Sequence, residues 1–441
     1  MKPFALLLCA MTGLWAMAGH VMVDGSITGD EHSTYPGTEH TFQVYVPDDY
    51  DGHHAACLYV GLDGVLCNAP AVIDSLIATG KMPMTIGIFL QPGVVKNESN
   101  QVVRYNRSNE FDATDGRFAH FLEKELIPAA TRITTPDGRH IIVASGGENH
   151  MIFGLSSGGI ASLVAAWHRP DLFGRVFSGV GTYVAMRGGN DLQAIVRKHE
   201  PLPLKVCLQD GTNDVWNALF GHWYEGNRML ATALDFAGYD TLYDWSDCKH
   251  DVKRASEIFA QVMTWMWNDW GKPIATGTTQ NDFLAPLLIQ GENWTATASK
   301  STHRTGTTGT FTATYPDGSL MVRPIAGTNW LEQSLINSDG TPCYAQRFYW
   351  LHSYDNCPVT TGPMAFDGNG NLWVTTNAGL QICDQNGRVR GILTMPADVD
   401  SFWKITIDDG LVTLHGTTTY TRRFQVTAPV PNKRPKSQGQ G

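Results

Sequence analysis

The chain has 441 residues, of which 42% are hydrophobic, 10% aromatic and 17% charged. That hydrophobic fraction excludes a disordered protein. The length exceeds the roughly 250–300 residues at which a single core stops growing, so two or more domains are expected. The formal net charge is −10, from 32 basic and 42 acidic residues, with no basic block before the tail. This argues against nucleic acid as a partner.

The N-terminus reads as an export signal. Lys2 precedes an apolar run to Ala16, and Ala16-Met17-Ala18 forms an A-x-A site, so residues 1–18 are expected to be removed. No other stretch is long enough to span a membrane as a helix. A secreted or periplasmic protein is therefore expected, in which disulfides are permitted. Pairs Cys207–Cys248 and Cys343–Cys357 stand beside buried free thiols as the alternatives. No cysteine has zinc-site spacing.

From 40 to 270, within a first domain expected over 19–270, short apolar runs alternate with amphipathic helical patterns. Strands are predicted at 41–46, 56–60, 85–90, 151–154, 176–180, 205–209 and 241–245. Helices are predicted at 118–126, 159–167, 225–237 and 255–270. This alternation predicts an α/β domain with a mostly parallel sheet covered on both faces. Residues 271–282 read as a linker. Beyond it, helical periodicity stops. Short strands are punctuated by turns such as Tyr315-Pro316-Asp317-Gly318, Asp367-Gly368-Asn369-Gly370 and Asp384-Gln385-Asn386-Gly387. An antiparallel β domain is expected over 283–428 and a disordered tail over 429–441.

The strongest chemical signal is Gly154-Leu155-Ser156-Ser157-Gly158, which fits G-x-S-x-G. Glycines on both flanks allow a sharp strand-to-helix turn that lifts the serine hydroxyl above the sheet edge. A strand pattern precedes it and a helix pattern follows, the context this motif requires. A serine nucleophile needs a base, and the base needs an orienting acid. After the strand at 205–209, Asp210 and Asp214 are both candidates for the acid. His250, after the last strand, is the candidate base. The oxyanion donors are expected to be the amide of Ser157 and that of Val65, in the loop after an early strand.

With these residues in hand, the first part resembles the esterase-D / enterochelin-esterase-like family of α/β hydrolases. The resemblance covers about residues 35–270. It rests on Leu62-Asp63-Gly64, Asn106-Arg107-Ser108-Asn109-Glu110-Phe111-Asp112, the elbow Ser156-Ser157-Gly158-Gly159, Met186-Arg187-Gly188-Gly189, Gln209-Asp210-Gly211-Thr212-Asn213-Asp214 and His250. It implies Ser156 as nucleophile, His250 as base and Asp214 as acid. It also implies hydrolysis of carboxylic esters, among them siderophore, feruloyl and acetyl esters. Relatives place glycines just before the histidine, where this chain has Cys248-Lys249.

The second part resembles the gluconolactonase / senescence-marker type of β-propeller. The segments that carry this are Gln346-Arg347-Phe348-Tyr349-Trp350-Leu351-His352 and 379–389. Its length suits only about three blades at ~40–45 residues each, whereas a closed propeller needs at least about four. Gly362 stands where the lactonases carry a metal-binding Asp, which argues against a metal and against lactonase activity. Open blades expose strand edges. The β domain is therefore expected to pack on the first domain or to pair with a second copy.

The combined expectation is an α/β-hydrolase fold followed by a partial propeller. The predicted activity is that of an exported serine esterase acting on carbohydrate-linked esters, with no metal or organic cofactor. An acyltransferase on the same triad and a carbohydrate-binding protein with a vestigial site are the alternatives. Asp63, Glu110, Arg187, Trp216 and Trp223, near strand ends or the acid loop, are the candidate substrate contacts.

Overall fold

The computed structural model describes residues 19–298 and 311–426. The expected export signal at 1–18 and the expected tail at 429–441 lie outside them. The first part runs β1 (His20–Thr28), β2 (Glu39–Pro47), β3 (Cys57–Leu62), α1 (Ala69–Ala78), β4 (Thr85–Leu90), β5 (Val94–Lys96), β6 (Val102–Tyr105), α2 (Arg107–Phe111), α3 (Arg117–Phe121) and α4 (Ile127–Thr131). It continues through β7 (His150–Leu155), α5 (Ser157–His168), β8 (Arg175–Gly179), α6 (Leu192–Lys198), β9 (Lys205–Gly211), β10 (Trp216–Asn217), β11 (Gly221–His222), α7 (Trp223–Ala237), β12 (Asp240–Ser246) and α8 (Lys253–Trp267).

Ten of these strands form one sheet in the order β12-β9-β8-β7-β3-β4-β2-β5-β6, with β1 paired to β2. The strands from β12 to β4 are parallel, and β2 joins β4 antiparallel. Successive strand residues point to opposite faces. In β3, Tyr59 packs with α1 and α8 through Ile73, Ile258 and Phe259, while Leu58, Val60 and Leu62 face the core shared with α3, α5, α6 and α7. Both faces are thus covered, as the alternation of strands and helices predicted. The predicted helix at 118–126 is interrupted. A π-helical turn at Leu122–Leu126 joins α3 to α4, next to Pro128, which has no amide to donate to the preceding turn.

The second part forms β13 (Thr295–Ala298), β14 (Ala313–Thr314), β15 (Leu320–Pro324), β16 (Trp330–Ile336), β17 (Pro342–Trp350), β18 (Thr361–Phe366), β19 (Leu372–Thr376), β20 (Gly379–Cys383), β21 (Val389–Leu393), β22 (Phe402–Asp408), β23 (Leu411–Gly416) and β24 (Thr418–Arg423). These strands make three four-stranded antiparallel sheets: β14 to β17, β18 to β21, and β13-β24-β23-β22. An aspartate at Gly362 would collide with the Thr375 hydroxyl and Val399, since a Cβ there would sit 2.6 and 2.8 Å from their atoms.

The β-rich part packs on the α/β part. Residues 271–282 form no helix or strand but are pinned: Gln280 N donates to the Phe236 carbonyl (2.9 Å), and Asn281 Nδ2 to the carbonyls of Arg197 (3.1 Å) and Arg390 (2.9 Å). Glu200 is buried and receives both terminal nitrogens of Arg422, at 3.0 and 2.7 Å. Tyr354 inserts beside α5, where Trp167 Nε1 donates to its hydroxyl (2.8 Å) and His168 packs on its ring edge. The apolar core runs through from Trp167 and Ile195 to Tyr354, Leu372 and Ile392. All seven cysteines among the described residues are free, which corrects the two disulfides considered from sequence. Cys207 is wholly buried in the α8-side core, and the Cys248 sulfur instead accepts from Gln209 Nε2 (3.2 Å).

Candidate active site

The site residues lie beyond the carboxyl ends of neighbouring parallel strands: Asp63 after β3, Ser156 after β7, Asp214 after β9 and His250 after β12. Open α/β sheets bind ligands along this edge, because loops from several strands converge there.

Ser156 occupies the turn between β7 and α5 with φ 60° and ψ −120°, a left-hand conformation costly for a residue with a Cβ. The close turn explains the glycines. A Cβ on Gly154 would fall 2.3 Å from the Gly158 carbonyl oxygen, and one on Gly159 would fall 2.9 Å from that of Gly179. The Ser156 amide is anchored to the Gly179 carbonyl (2.9 Å). α5 starts at Ser157, and the first amides of a helix have no intrahelical acceptor. Their dipole favours negative charge at this spot.

His250 joins the other two groups. Its Nδ1–H donates to Asp214 Oδ1 (2.6 Å), and the Ser156 hydroxyl donates to its Nε2 (2.8 Å). The carboxylate on one side fixes the tautomer, which leaves Nε2 as the acceptor. Burial opposes the charge on Asp214, but hydrogen bonds from His250 and the Val215 amide, with the Asp210 carboxyl alongside, outweigh it, so its pKa is lowered. Asn213 Nδ2 donates to the Asp247 carbonyl (2.6 Å), and the Cys248 amide to the Ser246 hydroxyl (3.2 Å). These bonds shape the loop that leads into His250. Of the two aspartates left open by spacing, Asp214 is the one on His250.

The remaining expected residues divide. Val65 follows a left-handed pair, Asp63 (φ 63°) and Gly64 (φ 80°), and is 41% exposed. Asp63 is held in a two-point pair by Arg107, at 2.6 and 2.9 Å, and Arg107 also reaches the Leu155 carbonyl (3.3 Å). Trp223 is 7% exposed. Its ring edge faces His250, 6.0 Å between centroids, and its Nε1 donates to Thr182 Oγ1 (3.3 Å). Trp216 is 67% exposed on the small β10–β11 hairpin, two residues past Asp214. Arg187 donates to the carbonyls of Ser108 (3.3 Å) and Asn109 (3.1 Å) and to Asp355 from the β-rich part.

Glu110 corrects the expectation of a substrate contact. It has no exposed surface, and its oxygens are taken by His40 Nε2 (3.0 Å) and the Gly93 amide (3.1 Å). Its charge is internal. Sequence reasoning passed over Thr182, whose hydroxyl lies 3.5 Å from Ser156 Oγ, and Asp355. Neither belongs to a local motif.

A mostly parallel sheet with a serine at a strand–helix elbow, hydrogen-bonded to a histidine on an aspartate, defines an α/β-hydrolase-like fold with a serine-hydrolase arrangement of groups. The family model of putative esterases matches residues 33–274, and the chain belongs to this family. It is a carboxylic ester hydrolase. Solved structures similar to it include a ferulic acid esterase, at 15% identity over 58% of this chain and 100% of that one, TM-score 0.42. The enterobactin esterase of Shigella flexneri matches at 17% identity over 58% of this chain and 62% of that one, TM-score 0.42. A fluorophosphonate-binding serine hydrolase of Staphylococcus aureus matches at 12% identity over 57% and 100%, TM-score 0.39. No curated protein matches the chain.

Proposed function

We propose that the protein is an exported serine esterase that works through Ser156, His250 and Asp214. The observation that carries this reading is the continuous line of hydrogen bonds from Ser156 Oγ through His250 to Asp214. Ser156 Oγ attacks the ester carbonyl while His250 Nε2 takes its proton. Asp214 holds the ring and stabilises the imidazolium. The amides of Ser157 and Val65 receive the oxyanion of the tetrahedral intermediate. His250 then protonates the leaving alcohol, and a water activated by the same nitrogen releases the acid.

Esters linked to carbohydrates, such as acetyl or feruloyl esters, are the substrate class. The resemblance of the first part, the N-terminal export pattern and the exposed Trp216 beside the acid loop support this reading. An aromatic face suits a sugar ring or an aryl acid. The β-rich part is read as a three-bladed remnant of a propeller. Three four-stranded sheets support this, the last completed by the first strand of the region, β13 on β24. Crowding at Gly362 counts against lactonase chemistry there.

The test is p-nitrophenyl acetate turnover and fluorophosphonate labelling by the wild type and Ser156→Ala. Both signals should vanish in the variant. Retained labelling would place the nucleophile elsewhere. A panel of acetyl, feruloyl, glucuronoyl-methyl and siderophore esters then ranks the substrates.

A further inference from the structure

Beside the triad lies a second carboxyl that the reaction does not use. Asp210 is the penultimate residue of β9 and has no exposed surface. Its Oδ1 accepts from the Gly211 amide (2.6 Å) and its Oδ2 from Asn227 Nδ2 (2.6 Å). Asn227 is also fully buried, and its amide reaches the carbonyls of Gly181 (2.8 Å) and Trp223 (3.0 Å) as well. The turn after β9 closes with Asp214 N on the Gly211 carbonyl (3.0 Å), which brings the two carboxyls within hydrogen-bonding reach of each other.

The partners of Asp214 are uneven. Its Oδ1 receives both His250 Nδ1 and the Val215 amide, whereas its Oδ2 is buried with no donor if both carboxyls are ionised. A buried acceptor without a donor is costly, and two buried carboxylates in contact cannot both hold charge. One proton between them removes both problems. Asp214 faces His250 and is the better place for the negative charge. The titratable groups acting around Asp210 are Asp214 and, from the loop after β12, Cys248, with His250 behind Asp214. Among the described residues it has no cationic partner of its own.

We propose that Asp210 is a positioning residue: a neutral carboxylic acid that donates a hydrogen bond to Asp214 Oδ2 and so keeps Oδ1 aimed at His250. This rests on the triad reading above. Burial, then the neighbouring Asp214, pushes the Asp210 carboxyl up to about 9, so it keeps its proton at neutral pH. The proton stays on Asp210 throughout. The pair therefore carries a single negative charge when His250 becomes an imidazolium. Above about 9, Asp210 ionises, the donated bond is lost, and the two carboxylates repel.

The experiment is a pH profile of kcat and KM for a p-nitrophenyl ester with the wild type, Asp210→Asn and Asp210→Ala, paired with infrared difference spectra. An amide at 210 still donates but does not titrate. The wild type should lose kcat with a midpoint near 9, and Asp210→Asn should keep its rate without that alkaline loss. Asp210→Ala should lose kcat by up to about a hundredfold at unchanged KM, the scale of a slightly misplaced catalytic group. The carbonyl stretch of a protonated carboxyl should be present in the wild type at neutral pH and absent from Asp210→Asn. An alkaline loss that persists in Asp210→Asn, or a wild type without the band, overturns the proposal. Should Asp210→Ala fail to fold, the asparagine variant and the spectrum still decide. The band does not depend on turnover, so its presence with no ester hydrolysis supports the proton placement and overturns the esterase reading instead.

Discussion

The parallel sheet and two of the three antiparallel sheets bury their residues differently; the sheet from β18 to β21 has its middle strands β19 and β20 almost wholly buried. β3, β4, β7, β8 and β9 are buried along their whole length, covered by helices on both faces. β23 alternates buried and part-exposed residues, and β16 and β22 each bury only two of seven. A strand clamped on both faces has its end fixed in space. A side chain just past that end inherits the precision, as Ser156 and Asp214 do, whereas His250 follows the part-exposed edge strand β12 and is held by its bond to Asp214. A half-covered sheet offers a surface and loops instead. Here one such loop, 353–356, reaches back to the α/β part: Tyr354 seats against Trp167, and Asp355 pairs with Arg117 and Arg187. Arg187 in turn holds the carbonyls of α2, whose Arg107 grips Asp63 beside the expected oxyanion loop. The chemistry sits in one region, and part of its scaffold comes from the other.

That division can be broken at several points. Ser156→Ala should abolish ester turnover, a loss on the order of 10⁴–10⁶ in kcat, with the melting temperature unchanged. A large melting shift would mean the serine is structural. Glu200→Gln should cost about 3–5 kcal/mol, because it leaves Arg422 buried and uncompensated. Denaturant unfolding of wild type and variant measures it. Burial opposes the Glu200 charge, but Arg422 more than offsets it, so its folded pKa lies below the unfolded value. Its contribution is therefore full above the ordinary glutamate value and is lost as pH falls through the lowered one. The penalty of the variant should shrink in acid. A penalty constant with pH would mean the pair contributes nothing to the seam.

Asp355→Ala should cost about 1–3 kcal/mol by leaving two arginines short of a partner. It should also lower kcat/KM several-fold by loosening α2. Unchanged kinetics at reduced stability would confine the β-rich part to a structural role. The smallest effect belongs to Trp216→Ala. Stability should stay within about 0.5 kcal/mol, as expected for an exposed residue. KM for a feruloyl or sugar ester should rise, while that for p-nitrophenyl acetate should not. Equal KM values for all of them would remove Trp216 from the substrate surface.

Much of the first part was legible because its signals are local. Short apolar runs alternating with helical patterns mark the covered strands, and glycines at 154 and 159 mark an elbow with no room for a Cβ. The order serine, aspartate, histidine along the chain narrowed the acid to two residues. Glu110 misled because a charged residue near a strand end looks available to a ligand. Its partner His40 is 70 positions away and leaves no trace beside it. The segment 271–282 reads as a linker from its glycines and threonines, yet the ion pair and core that cross the seam join residues as far apart as Glu200 and Arg422. No window of sequence contains both.

By itself, the sequence determined the alternation of strands and helices, the strained serine turn, and the change to turn-punctuated strands after residue 282. Each depends on neighbours a few positions apart, through side-chain periodicity and backbone sterics. Spacing left two aspartates and the resemblance pointed to Asp214; tertiary structure alone placed it on His250 and buried Asp210 beside it. It also decided that Glu110 is closed off and that the β-rich part shares a core with the esterase. Burial and charge pairing are sums over groups that only the folded chain brings together, so composition and spacing cannot state them in advance.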